Sequence, residues 1–238
     1  VQKTTRLRAA TALLVLALLA ACQNKEAQRP TRANFTAAVG DYLAQRGHLC
    51  IAKYDWPITV TEADRQARSV DAQQMPLLET LGLVSGRDVN VTREGADGAM
   101  ATLPAREYAL TAEGQKYYLH VPVVVATATQ HETHPADFCV ARLALDRVFG
   151  WERPQRIDGR MVTSVLFSYR IVDPAPWART PDARRAFPLV MRAIDNAGTL
   201  QLRLGVHLTP DGWIADELSE QAPVSLLTPR APRGKTST

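Results

Sequence analysis

From Thr199 to Leu208 the chain alternates without a break: Leu200, Leu202, Leu204, Val206 and Leu208 interleave with Thr199, Gln201, Arg203, Gly205 and His207. A period of two sends the five aliphatic side chains to one face, so this segment reads as a strand with one buried side. His207 falls on the polar face and reads as a solvated side chain. A half-buried strand needs hydrogen-bonding neighbours, and the flanking sequence supplies them. Pro210-Asp211-Gly212 turns the chain into a last strand from Trp213. Upstream, Cys139 to Trp151 is long and alternating, and Val162 to Val172 places Val165, Phe167, Tyr169 and Ile171 on one face. Thr180-Pro181-Asp182 starts a helix that continues to about Asp195, with a kink or reset near Pro188. Residues 127–220 are therefore expected to form an antiparallel β-β-α-β-β unit, one helix covering one sheet.

Residues 34–126 follow a different order. Asn34 is placed as the N-cap of a helix from Phe35 to Gln45, whose stripe is Phe35, Val39, Tyr42 and Leu43, and Gly47 ends it. A strand from Leu49 to Tyr54 stops at Trp56-Pro57. Thr61-Glu62 opens a polar helical stretch. Ser69 caps a third helix to about Thr80, with Met75, Leu77, Leu78 and Leu81 clustered, Pro76 as a kink or restart, and Gly82 as the stop. Strands from Val89 to Arg93 and Arg106 to Leu110 flank a Gly- and Ala-rich loop containing Asp97-Gly98. Thr111 caps a helix from Ala112 to Tyr118, an apolar strand runs from Val121 to Ala126, and a polar loop extends to Asp137.

The order helix, strand, helix, helix, hairpin, helix resembles a winged-helix domain. Leu77-Leu78-Glu79-Thr80-Leu81-Gly82-Leu83-Val84 is similar to the end of that family's third helix, and Tyr108-Ala109-Leu110-Thr111-Ala112-Glu113-Gly114 to the exit from its wing. The resemblance covers roughly residues 34–120 and implies shape rather than role. The chain as a whole is then α+β: a winged-helix-like N-terminal unit followed by the antiparallel β-β-α-β-β unit. No nucleic-acid partner is expected. Residues 70–81 carry Asp71 and Glu79 but no Lys or Arg, whereas a recognition helix needs cations for phosphate and donors for base edges.

The first 21 residues read as a signal peptide. Lys3, Arg6 and Arg8 form a basic start without acidic residues, and an apolar stretch from Ala9 to Ala21 follows, broken only by Thr11. Thirteen helical residues would cover about 20 Å, short of a hydrocarbon core of about 30 Å. The stretch ends in Leu19-Ala20-Ala21-Cys22, which resembles the lipobox of bacterial lipoproteins. That resemblance implies diacylglycerol on the Cys22 thiol, cleavage before Cys22, and a membrane as partner through the anchor. An Asp directly after the lipidated Cys is generally read in that family as inner-membrane retention, so Gln23 implies the periplasmic face of the outer membrane. The three leader cations belong to a set of 28 against 24 acidic residues, so the remaining chain is close to neutral and has no field to gather nucleic acid. Residues 22–33 are expected to be a lipidated Cys and flexible tether reaching at most ~35–40 Å. Residues 221–238, with three Pro and no acidic residue, are expected to be a flexible tail.

Two thiols remain once Cys22 carries lipid. In an oxidising compartment Cys50 and Cys139 are expected to pair, the alternative being two separate buried thiols. Phe138-Cys139, Trp151, the strand from Val162 to Tyr169, Ala175-Pro176-Trp177-Ala178, Ala186-Phe187-Pro188 and Asp211-Gly212-Trp213 are together similar to a group of uncharacterised proteobacterial lipoproteins. That resemblance spans about residues 135–216 and implies no particular activity.

Chemistry-bearing motifs are sparse. His131-Glu132-Thr133-His134 offers imidazoles and a carboxylate suited to zinc, but the spacing is not HExxH and Pro135 favours a surface loop. No Gly-x-Ser-x-Gly elbow and no phosphate-cradling Gly motif is present, and His48, His120 and His207 have no sequence-visible partners. Trp177 stands in Asp173-Pro174-Ala175-Pro176-Trp177-Ala178-Arg179, with Arg184 and Arg185 beyond. Aromatic and Arg side chains anchor interfaces, so this loop either binds an envelope partner or packs Trp177 over the sheet. The expected function is a non-enzymatic envelope lipoprotein acting through contacts, with no cofactor. The alternative is an envelope enzyme with a metal or hydrolytic site near His131 and His134.

Overall fold

The computed structural model describes residues 25–94, 98, 100–126 and 131–219. In chain order its elements are α1 (Arg32–Arg46), β1 (His48–Cys50), β2 (Ile58–Thr61), α2 (Glu62–Gln66), α3 (Val70–Thr80), β3 (Val84–Glu94) and β4 (Met100–Leu110). There follow α4 (Ala112–Gln115), β5 (Tyr118–Leu119), β6 (Val123–Ala126), β7 (His131–His134), β8 (Asp137–Trp151), β9 (Gln155–Ile157) and β10 (Arg160–Val172). A 3-10 turn (Pro176–Arg179), α5 (Pro181–Ala186), α6 (Pro188–Asp195), β11 (Leu202–Thr209), β12 (Gly212–Ala215) and α7 (Asp216–Ser219) complete the order. Helices mix with antiparallel sheets, as the patterning implies.

The chain divides into two compact units, and the division does not fall at the expected boundary between residues 126 and 127. Of the described residues, unit one holds 25–47, 144–170 and 197–219, and unit two holds 48–143 and 171–196. Each unit is therefore made from both halves of the chain.

In unit one the sheet runs through β8, β10, β11 and β12, with β9 on β10. Val162 lies opposite His207 and Phe167 opposite Leu202, while Leu208 lies opposite Trp213. The helix of this unit is α1, not the segment 181–195 expected from order along the chain. Phe35, Ala38, Val39, Tyr42 and Leu43 recur at helical spacing and are buried. Phe35 sits 4.9 Å from the ring of Trp151 and 5.1 Å from that of Trp213. Burying such a side chain contributes about 1.5–3 kcal/mol, which outweighs proximity in sequence. The N-cap is Thr31, whose hydroxyl accepts from the Asn34 amide, and Asn34 sits one turn inside with its side chain donating to the Glu26 and Arg29 carbonyls. Arg32 and Ala33 need no apolar contact to extend a helix, so the stripe alone set the expected start too late. Residues 25–33, expected within a flexible tether, are held against the fold. Gln28 donates to the Pro210 carbonyl and the Trp213 indole donates to the Gln28 carbonyl, fixing this stretch to the β11–β12 turn.

In unit two, β2, β4 and β3 form a three-stranded sheet, β6 pairs β7, and β1 and β5 both pair the first part of β8. Met75 and Leu78 of α3, Val84, Tyr108, Phe138, Val140 and Phe187 are buried together. These two α3 residues flank Pro76, and the helix continues through it without the expected restart. Gly82 (φ 72) ends the helix, letting the Leu83 amide bond back to the Leu78 carbonyl. Gly114 is required for space: a Cβ there would lie 1.9 Å from the Leu83 carbonyl oxygen. The hairpin strands are longer than the sequence implies, pairing from Val84–Leu110 out to Glu94–Met100. The polar stretch expected as a loop contains β7, which the valines of β6 recruit as a hairpin partner despite its weak strand propensity. The helix expected from 181 to 195 is two helices, broken at Phe187, whose side chain is buried.

Candidate functional site

The strongest concentration of polar chemistry lies in unit two, around the turn between β1 and β2 and the ends of β7 and β8. His134, expected on a surface loop, is 9 % exposed. Its Nδ1 lies 2.8 Å from Asp55 Oδ2, Tyr54 stacks on its ring at 4.3 Å, and its Nε2 is 3.9 Å from Glu132 Oε2. An imidazole held by a carboxylate at one nitrogen has a fixed ring orientation, an arrangement shared by metal ligands and general bases. The Tyr118 hydroxyl donates to the Tyr54 carbonyl and secures the same turn.

Beside it, Asp137 is buried and accepts from the Lys53 and Phe138 amides at 2.8 and 2.7 Å. Burial pushes its carboxyl above the ordinary range, against those backbone hydrogen bonds and the Lys53 charge, which pull it down. Burial likewise raises the Tyr54 phenol, helped by the Asp137 charge, and raises Tyr118, helped by Asp55 and Asp137. The buried Lys53 amine pairs with Asp71 at 2.9 Å. Cys50 and Cys139 stand opposite each other on β1 and β8 and are bonded, S–S 2.04 Å. Asp55 and Tyr54 are the members that sequence reasoning missed. Nothing local marks a partner 79 residues from its histidine.

The remaining anticipated residues scatter. Cys22 lies outside the described residues, as does the side chain of His131, so the proposed His131/His134 pair has only His134 described. No three His, Cys, Asp or Glu converge on a metal position among the described residues. Trp177 is 8 % exposed, edge-on to Phe187 and near Phe138, with its indole nitrogen buried and without an acceptor among the described residues. Its ring belongs to the core, which separates it from the arginines expected to act with it. Arg179 is exposed, Arg184 makes a two-pronged ion pair with Asp195 at 3.1 and 2.5 Å, and Arg185 pairs with Asp182. Arg184 also borders a shallow depression of about 330 Å³ with Met191, Arg192 and Asn196. Burial lowers the His48 imidazole, and Arg142 adds to it. His120 is exposed beside Tyr118.

Unit one carries a second histidine–carboxylate pair. His207, expected to be solvated, is buried, with Nδ1 2.8 Å from Asp216 Oδ1. The alternation assigned it to the correct face, but α7 follows β12 directly and brings Asp216 over it. A groove of about 290 Å³ on this unit is bordered by Phe149, Trp151, Ser164, Leu166 and the ion-paired Glu152 and Arg203.

No protein-family model, no curated protein and no solved structure matches this chain.

Proposed function

We propose that this chain is a lipid-anchored envelope protein at the periplasmic face of the outer membrane, acting by binding rather than catalysis. The observation that carries the reading is Leu19-Ala20-Ala21-Cys22 directly after a basic segment and an apolar stretch. The bonded Cys50–Cys139 pair supports it, because such bonds persist in oxidising compartments. Both histidine–carboxylate pairs fasten one backbone segment to another, as suits a rigid binding scaffold. We read α2, α3 and the β3–β4 hairpin as winged-helix-like in shape, with the hairpin in the place of the wing. The partner surface we assign to Arg179, Arg184 and Arg185, of which Arg184 borders the depression on α6, without Trp177. Crosslinking in intact cells tests this: an envelope protein should be captured, and the yield should fall when these three arginines are replaced by alanine. Capture unchanged in that variant would remove the surface.

The His134–Asp55 pair favours a second reading, an envelope enzyme whose metal or hydrolytic site includes His131 and His134. Stoichiometric zinc in purified protein, lost on replacing both histidines, would favour that reading over binding.

A further inference from the structure

We propose that one end of unit one lies on the bilayer: the β9–β10 hairpin, with Arg156, Arg160 and Ile157, docks against anionic phospholipid headgroups beside the anchor. The inference rests on the reading of Cys22 as lipidated. Cys22 precedes Lys25, the first described residue, by only three positions, a reach of about 10 Å at full extension. From there the chain is held down. Gln28 exchanges hydrogen bonds with Pro210 and Trp213, and Ala27 lies against Gly212. An anchor on Cys22 therefore brings the β11–β12 turn to the membrane surface.

Strand register then decides what else is there. Arg160 pairs with Ile157 and Val162 with Gln155, while Val162 also pairs with His207 and Thr209 pairs with Gly212. The β9–β10 turn and the β11–β12 turn thus project from the same end of the sheet. β9 and β12 are three strand spacings apart, about 15 Å. At that end Ile157 is 52 % exposed, and Lys25, Arg156 and Arg160 are exposed with no carboxylate in ion-pair reach among the described residues. Arg156 also donates to the Gly159 carbonyl, which stiffens the turn. Asp158 and Asp211 are exposed there too, while Glu26 is matched by Arg29. The unmatched charge is positive, and an exposed aliphatic side chain stands among the cations. Headgroup phosphates and the interfacial layer complement both.

The test uses the full lipidated chain in vesicles of phosphatidylethanolamine and phosphatidylglycerol with brominated acyl chains, comparing wild type with Ile157→Trp. The added indole emission, taken as the difference from wild type, should be quenched in these vesicles, and the quenching should fall in all-phosphatidylcholine vesicles. Each Arg→Gln change at 156 and 160 should lower the docked-to-undocked ratio about fivefold, and both together about 25-fold. An added tryptophan that emits as in water, with diacylglycerol present on Cys22 by mass spectrometry, overturns the docking and leaves the anchor intact. Absence of lipid from Cys22 in the same preparation overturns the reading beneath it. Quenching unaffected by the double arginine change or by the neutral vesicles also overturns the proposal, since the hairpin would then be held there by something other than headgroup charge.

Discussion

Replacing both Cys50 and Cys139 by alanine removes the covalent link between β1 and β8 in unit two. The link spans 89 residues. Chain-entropy reasoning assigns to a loop of that length about 4–5 kcal/mol at room temperature, because the open unfolded chain samples far more conformations. Loss of the two sulfurs adds little, as Cys139 is buried among apolar neighbours that alanine also satisfies and Cys50 is only half-buried. With a urea dependence of about 2–3 kcal/mol per molar, the midpoint should fall by roughly 1.5–2 M. Urea unfolding followed by pulsed hydrogen exchange reads this directly, in peptides from β1, β3, β4 and the first part of β8. The slope should also steepen, since the uncrosslinked unfolded chain exposes more surface. A shift worth less than about 1 kcal/mol would refute the argument, as would wild-type protein whose midpoint ignores reductant.

Other perturbations have definite signs. Leu78→Ala, at a fully buried α3 position, should cost about 2–5 kcal/mol in thermal or urea unfolding. Asp137 has a raised carboxyl, so the folded state holds its proton more tightly than the unfolded one. Its contribution should weaken as pH rises from about 4 through the raised value, and Asp137→Asn should abolish that slope in urea midpoints against pH. Glu79, hydrogen-bonded by Arg106, is held below its ordinary value, so its contribution should be present at neutral pH and be lost on acidification, the opposite trend, absent in Glu79→Gln. Gly114→Ala forces a Cβ onto the Leu83 carbonyl and should destabilise the protein measurably by calorimetry, whereas Gly150→Ala, with open space around it, should not do so by that route.

Much of the fold was written locally. The alternation from Leu202 to Leu208 works as a strand signal because its two faces meet different surroundings, and the caps at Ser69, Thr111 and Thr180 fix helix starts through hydroxyls that accept from amides three residues on. Placement was not local. Whether α1 covers β12 or the α2–α3 segment depends on Phe35 finding Trp151 and Trp213, contacts over more than a hundred residues that carry no mark in one sequence. The same distance hides the candidate site. His134 reads as a loop histidine until the turn carrying Tyr54 and Asp55 arrives, and Trp177 reads as either a partner anchor or a packed ring until Phe138 and Phe187 enclose it. The cysteine pair was legible because reading Cys22 as lipidated left only two thiols to choose between.

The anchor is the claim on which function, location and membrane docking all depend, and intact-mass spectrometry of the protein extracted from membranes with detergent reaches it directly. The account predicts a polypeptide starting at Cys22, heavier than its sequence by a diacylglycerol thioether, with the lipid mapped to the Cys22 peptide. A chain that starts upstream of Cys22, or one that carries a free thiol there, contradicts it.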